Sequence, residues 1–167
     1  MDKSSLDLRV GSAADLDAIN RVVEAAVMTW DLPERVKRLS LSSYRYQPHD
    51  LEHLELLVAE EADRGIVGVA AWEPADPRDA PPETRALLLH GLYVAPKRQR
   101  RGIGARVLEA AETAARAQGF DALLVKAQPS AEAFFRARGM ERLPVLRPGR
   151  DYPHRFCKRL TNPLGRK

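Results

Sequence analysis

A single cysteine, Cys157, stands in the 167 residues, so no disulfide can close within the chain and no cysteine cluster can hold zinc. A reducing compartment, the cytoplasm, is therefore the expected setting. No apolar run is long enough to span a bilayer. The opening Met1-Asp2-Lys3-Ser4-Ser5-Leu6 contains no apolar core of a secretory signal, so neither export nor a membrane partner is expected. Aromatic residues make up only 6% and do not alternate with the basic ones, so a base-stacking surface is missing. The net charge of +4 and pI near 9.5 consequently do not argue for a nucleic-acid partner, because most arginines are interleaved with acids. The positive excess is confined to the stretch Lys97–Arg106 and the tail Arg142–Lys167. Internal repeats are absent, and the one biased segment is Glu73–Thr84, with Pro74, Pro77, Pro81 and Pro82.

What is present is an ordinary globular balance, 44% apolar and 30% charged, in a chain long enough to bury a core. One domain over residues 1–167 is expected. Leu6, Leu8 and Val10 alternate with polar residues and predict a first strand. Ser12 and Asp15 form a capping-box pair before a helix whose stripe is Leu16, Ile19, Val22, Val23 and Ala26, extended by Val27, Met28 and Trp30 to Pro33. Trp30 reads as core packing more than as a pocket wall. Glu34–Leu41 predicts a weaker helix, Ser42–Asp50 an irregular link, and Glu55–Glu60 with Ile66–Trp72 a hairpin turning at Gly65. After the proline-rich loop come a strand over Leu87–Val94, a helix ending at Gly119, a strand over Phe120–Val125 and a short helix over Ala131–Arg138. Leu143–Leu146 and Arg155–Leu160 are expected closing strands.

The stretch Leu87–Gly119 organises the rest. A leucine-rich strand ends in Leu92-Tyr93-Val94, Pro96 breaks it, and Gln99-Arg100-Arg101-Gly102-Ile103-Gly104 leads into an alanine-rich helix. The first N–H groups of a helix have no partner inside it, and glycine lets an anion come close to them. Arg98, Arg100 and Arg101 add positive charge. A dinucleotide fingerprint does not fit, because Val107 stands where its third small residue belongs and no acidic residue closes a following strand at the expected distance. A Walker loop does not fit either, since Ala105 and Arg106 follow Gly104.

Gln99-x-x-Gly102-x-Gly104 after a strand ending in Leu-Tyr-Val resembles the acyl-CoA pyrophosphate loop of the GNAT superfamily of N-acetyltransferases. Leu8-Arg9-Val10 with Asp15–Ile19 is similar to that family's first strand and helix, and Gln128–Met140 to its C-terminal signature. The resemblance implies an α/β fold: a mixed, mostly antiparallel central sheet with splayed parallel central strands and flanking helices. It implies acetyl-CoA as co-substrate, no metal, and a primary amine on a small molecule or protein terminus as acceptor, attacked directly in a ternary complex. A homodimer is compatible with the exposed strand edges of this architecture. The implied cofactor-binding residues are Leu92, Tyr93 and Val94, then Gln99, Arg100, Arg101, Gly102, Ile103, Gly104 and Ala105, together with Gln128 and Phe135. Gln128 stands where the family has asparagine, and Phe135 where it often has a tyrosine that protonates the departing thiolate. Tyr152 and Tyr93 are candidates for that proton by residue type alone. His90 is the candidate general base, with Glu73 and Glu83 as alternatives, since histidine as a residue type titrates near neutrality. Phe135 also motivates a different reading, a non-catalytic acyl-CoA-binding sensor.

Overall fold

The computed structural model describes residues 5–160; the first four residues, and residues 161–167 at the end of the basic tail, lie outside the described residues. In chain order the elements are β1 (Leu6–Val10), α1 (Leu16–Val27), α2 (Glu34–Tyr44), β2 (Glu55–Glu61), β3 (Gly65–Pro74) and β4 (Ala86–Val94). There follow α3 (Ile103–Ala117), β5 (Ala122–Lys126), α4 (Glu132–Ala137), β6 (Glu141–Arg142) and β7 (Arg155–Arg159). The strands form one sheet in the order β1-β2-β3-β4-β5-β7-β6. It is mixed and mostly antiparallel, with β4 and β5 parallel from Ala86↔Ala122 to Leu89↔Val125. A parallel pair needs a long crossover, and α3 supplies it. Among the described residues no helix is long and apolar enough to cross a membrane.

The chain forms two compact units, Met1–Ala71 with Gly91–Leu108, and Trp72–His90 with Glu109–Lys167. In the first, the stripe of α1 does what its spacing predicts: Leu16, Ile19, Val22, Val23, Ala26 and Val27 are buried in one cluster with Leu56, Val58, Val69, Ala71 and Tyr93. Burying each large aliphatic side chain contributes roughly 1.5–3 kcal/mol, so this cluster holds the helix on its strands. The capping box at Ser12 forms, with the Ser12 N–H donating to Asp15 at 2.9 Å. Arg9 clamps the same carboxylate from β1 through two 2.9 Å hydrogen bonds and also reaches Glu60.

The helix stops at Val27, short of Pro33, because the next turn tightens: Thr29 N–H and Oγ1 both donate to the Ala26 carbonyl, and Lys37 Nζ takes the Met28 carbonyl at 2.8 Å. Trp30 then packs on the core, edge-on to Tyr44 with ring centroids 5.1 Å apart. The second helix runs on through Tyr44 where a link was expected from Ser42.

In the second unit Leu124 and Cys157 face one another across the β5–β7 ladder in a cluster with Ala86 and Ala122. Helix α3 closes as Gly119 predicts: Gly119 adopts φ +79°, its N–H donates to the Arg116 carbonyl, and the Phe120 N–H donates to Ala115. The strand expected over Leu143–Leu146 is instead the short β6 upstream. One further bond, Leu143 N–H to the Arg155 carbonyl at 2.8 Å, extends its pairing. Pro144 then has no N–H to give, and the N–H groups of Leu146 and Arg147 turn to the Asp151 carboxylate, both at 3.0 Å.

The proline-rich segment is tied down in this unit. Arg155, only 4% exposed, donates to the backbone carbonyls of Asp79, Pro144 and Tyr152, and Lys126 pairs with the Asp79 carboxylate.

The Arg9 clamp holds the Asp15 carboxyl down at about 2, below its ordinary 3.8, chiefly through the arginine hydrogen bonds. A carboxyl depressed in the folded state adds stability above its unfolded pKa and loses that contribution as pH falls through the folded one. Denaturant unfolding between pH 5 and about pH 2 should therefore show a stability loss in the wild type that is smaller in Asp15→Asn; identical slopes would contradict the clamp.

Candidate active site

The loop after β4 belongs to the first unit. It leaves the strand at Ala95, whose N–H donates to the Val67 carbonyl of β3 at 2.8 Å, and makes a short 3-10 turn over Pro96–Arg98. Gln99 folds back, its side-chain amide donating to the Val94 carbonyl at 3.2 Å. Arg100 then takes φ +62° and Gly102 φ +79°. A left-handed non-glycine residue costs roughly 1–2 kcal/mol, so the run Gln99–Gly102 is bent against the preference of Arg100.

The Arg106 N–H donates to Gly102 at 3.1 Å, which makes Gly102 the residue that caps α3. Helix geometry leaves the N–H groups of Ile103, Gly104 and Ala105 without carbonyls inside the helix. A Cβ built on Gly102 meets no atom within 4 Å, so the space beside this turn is open. Arg100, Arg101 and Gly102 are exposed, whereas the Ile103 side chain is buried and fixes the turn. Donors without carbonyls inside the helix, a positive helix end and two exposed guanidiniums fit a pyrophosphate by the chemistry of the donor set.

Arg98 behaves differently from its neighbours. Its guanidinium forms a two-pronged pair with Glu61 at 2.8 Å on each side, and both side chains are largely buried. The positive charge read from the sequence at this position is thus spent inside the fold.

Strand β4 has its Tyr93 side chain buried and Leu92 and Val94 half-buried. Burial pushes the Tyr93 and Tyr46 phenols above their ordinary range. Gly91 is where Tyr46 and Tyr93 close in: a Cβ there would lie 2.6 Å from the Tyr46 Oη and 2.6 Å from the Tyr93 ring. Tyr46 itself is fixed by Asn20 of α1, which accepts from its N–H and donates to its carbonyl, both at 2.8 Å.

The remaining candidates lie in the second unit. His90 is exposed on β4. Gln128 opens a 3-10 turn ahead of α4, its carbonyl accepting from the Ala131 N–H at 2.9 Å. Phe135 is buried at 4% and stacks edge-on to Phe134. The half-buried Tyr152 donates its hydroxyl to the Ala127 carbonyl at 2.8 Å, one residue before Gln128. Beside it His154 Nδ1 pairs with Glu132, which lowers the pKa of that carboxyl chiefly through this hydrogen bond. Cys157 is buried, and burial raises its thiol pKa.

Residues 24–140 match the sequence model of the family described as Acetyltransferase (GNAT) family, and this span is more than half of the chain. The chain belongs to the GNAT acetyltransferase family. No curated protein matches its sequence. Among solved structures, the PaiA N-acetyltransferase of Thermoplasma acidophilum in complex with coenzyme A superposes with a TM-score of 0.73 at 16% identity, over 93% of this chain and 99% of that one. A GNAT family acetyltransferase of Brucella melitensis in complex with acetyl-CoA gives 0.63 at 18% identity, over 95% and 90%. A GCN5-related N-acetyltransferase of Rhodopseudomonas palustris gives 0.70 at 22% identity, over 96% and 99%. At such identities the likeness shows the GNAT fold and not a shared acceptor.

Within this GNAT chain, the first unit brings together Leu92, Tyr93, Val94 and Gln99 to Ala105, and the second carries His90, Gln128 and Phe135. Reading the sequence missed the Glu61 partner of Arg98 and the Asn20–Tyr46 clamp. The one available signal for the former was the pair of acids, Glu60 and Glu61, that ends the strand. Replacing Gly91 with alanine should destabilise the fold by about 1–3 kcal/mol, because Tyr46 and Tyr93 must shift to admit the methyl group. Wild-type stability of Gly91→Ala in chemical denaturation would contradict the close approach.

Proposed function

We propose that this GNAT chain is an N-acetyltransferase that binds acetyl-CoA through the loop Gln99–Ala105 and transfers its acetyl group directly to a primary amine on a small molecule or a protein terminus. The observation that carries this reading is the bend at Arg100 and Gly102 into the start of α3, where helix geometry leaves the N–H groups of Ile103, Gly104 and Ala105 without carbonyls inside the helix and a Cβ on Gly102 would meet nothing within 4 Å. These donors hold the pyrophosphate, Arg100 and Arg101 add charge next to it, and the backbone of Leu92 and Val94 aligns the pantetheine arm. Acetyl-CoA supplies an activated thioester.

The acceptor nitrogen attacks the thioester carbonyl, the carbon–sulfur bond breaks, the nitrogen loses a proton and the thiolate gains one. His90 takes the proton from the nitrogen, directly or through water. Phe135 has none to give the thiolate, and Tyr152 is the only phenol in the unit that carries Gln128 and Phe135. Its hydroxyl, held on the Ala127 carbonyl next in the chain to Gln128, would turn its proton from that carbonyl to the thiolate. A covalent route through Cys157 is disfavoured by its burial and raised thiol pKa.

Phe135 also supports a second reading, an acyl-CoA-binding sensor without turnover. Thermal melts with acetyl-CoA, CoA and NAD test the site shared by both readings: a ligand at a hundredfold its Kd adds about 2.7 kcal/mol. Stabilisation by both CoA forms and not by NAD is expected, and no shift with acetyl-CoA would overturn both. Release of free thiol with an amine then separates enzyme from sensor. In the enzyme, Tyr152→Phe should lower kcat on the order of 10²-fold. His90→Ala should lower it too, with a loss that shrinks at high pH, where the amine is already unprotonated. Unchanged rates would remove either residue from the mechanism.

A further inference from the structure

The loop Gln99–Ala105 carries no large side chain that packs it into the core before Ile103, and Arg100 sits in a costly conformation. Something outside the loop must hold it. Two arginines bracket it, and both reach the same place. Ahead of the loop, Arg98 Nε and Nη2 grip the two oxygens of Glu61 at 2.8 Å each. Behind it, Arg106 Nη2 donates to the Leu6 carbonyl at 3.4 Å. Leu6 and Glu61 are direct partners in the β1–β2 ladder, so the two ends of the loop are fastened to one point of the sheet.

The grip on Glu61 is the stronger of the two. Glu61 is 2% exposed, and a fork-to-fork pair of guanidinium and carboxylate fixes orientation as well as distance. Arg64 stands farther off, at 3.7 Å, and does not replace it.

We infer that Glu61, acting through Arg98, is the residue that positions the cofactor loop, and that Arg98 is a positioning residue and not a phosphate ligand. The inference rests on the proposed CoA binding at this loop. It divides the basic run Lys97–Arg101 by role: Arg98 is consumed by Glu61, which leaves Arg100 and Arg101 to meet the anion. Glu61 lies far from the loop in sequence, on a strand that carries none of the candidate site residues, so its effect on the ligand passes through the geometry of the turn.

Isothermal titration with CoA, ligand-free melts and acetyl-CoA kinetics on four proteins test this: wild type, Glu61→Gln, Arg98→Gln and the double variant. Each single change should raise the Kd for CoA on the order of tenfold to a hundredfold, since a loop displaced by about 1 Å loses its alignment. The KM for acetyl-CoA should rise with it while kcat at saturation holds. Arg98→Gln takes the two-pronged partner from the buried Glu61, leaving Arg64 at 3.7 Å, and can destabilise the chain. The double variant removes both charges and should fold, with a Kd no worse than that of Glu61→Gln.

If Arg98 touched the phosphates, Glu61→Gln would free it, and the Kd would stay the same or tighten; that result overturns the inference. Losses that add in the double variant overturn it as well, because the two residues would then act separately. Absence of heat from the wild type would sink the CoA reading itself and this inference with it, whereas wild-type binding with an unaffected Glu61→Gln sinks the inference alone.

Discussion

Three backbone N–H groups at the start of α3 cannot be satisfied inside the helix, and the function read from this fold depends on their being held open toward an anion. A helix end in water would serve equally well as a donor set. What distinguishes this one is the turn before it, where Gly102 at φ +79° and Arg100 at φ +62° keep the backbone exposed and the side chains away. That bend is unfavourable on its own, and the surrounding ties offset it: Ala95 to β3, Arg98 to β2 and Arg106 to β1. The strands in turn are held by the α1 stripe, whose Ile19, Val23 and Val27 are fully buried. A chain of causes thus runs from the 3.6-residue spacing of α1 through the β1–β2–β3 ladder to the donors of one turn.

The transfer chemistry we propose draws on different elements. Phe135, which the resemblance sets where the family often has a tyrosine, is buried and acts as a packing residue. Tyr152 enters from the segment between β6 and β7, anchored on the Ala127 carbonyl at the end of β5. That segment takes its shape from Pro144, which ends the β6 pairing, and from Asp151, whose carboxylate gathers the N–H groups of Leu146 and Arg147. A proline that stops a strand is therefore part of what brings a phenol beside Gln128.

Much of this was legible in the sequence wherever the cause is local. The capping box at Ser12, the stop at Gly119, the α1 stripe and the bend at Gln99–Gly104 are each decided by residues within a turn or two of one another, and the structure has them where the spacing puts them. The misses come from longer reach. Helix α1 ends early because Lys37 returns to take the Met28 carbonyl. The strand expected at Leu143–Leu146 is a short apolar run, but Pro144 removes a donor and Asp151 offers a competing acceptor. Arg98 looked like its neighbours because its partner lies 37 residues away, and side-chain identity alone does not say which guanidinium a fold will use internally. The role of His90 was not legible either, since exposure on β4 is compatible with a base and with a solvated strand residue.

The central claim is that backbone amides of one turn, and not arginine charge alone, receive the cofactor's phosphates. Backbone amide resonances of the isotope-labelled chain, followed during a CoA titration, test it most directly. The amides of Gly102, Ile103, Gly104 and Ala105 should shift most, move downfield as they gain acceptors, and exchange more slowly with solvent at saturation. CoA binding that leaves those amides unmoved would contradict it.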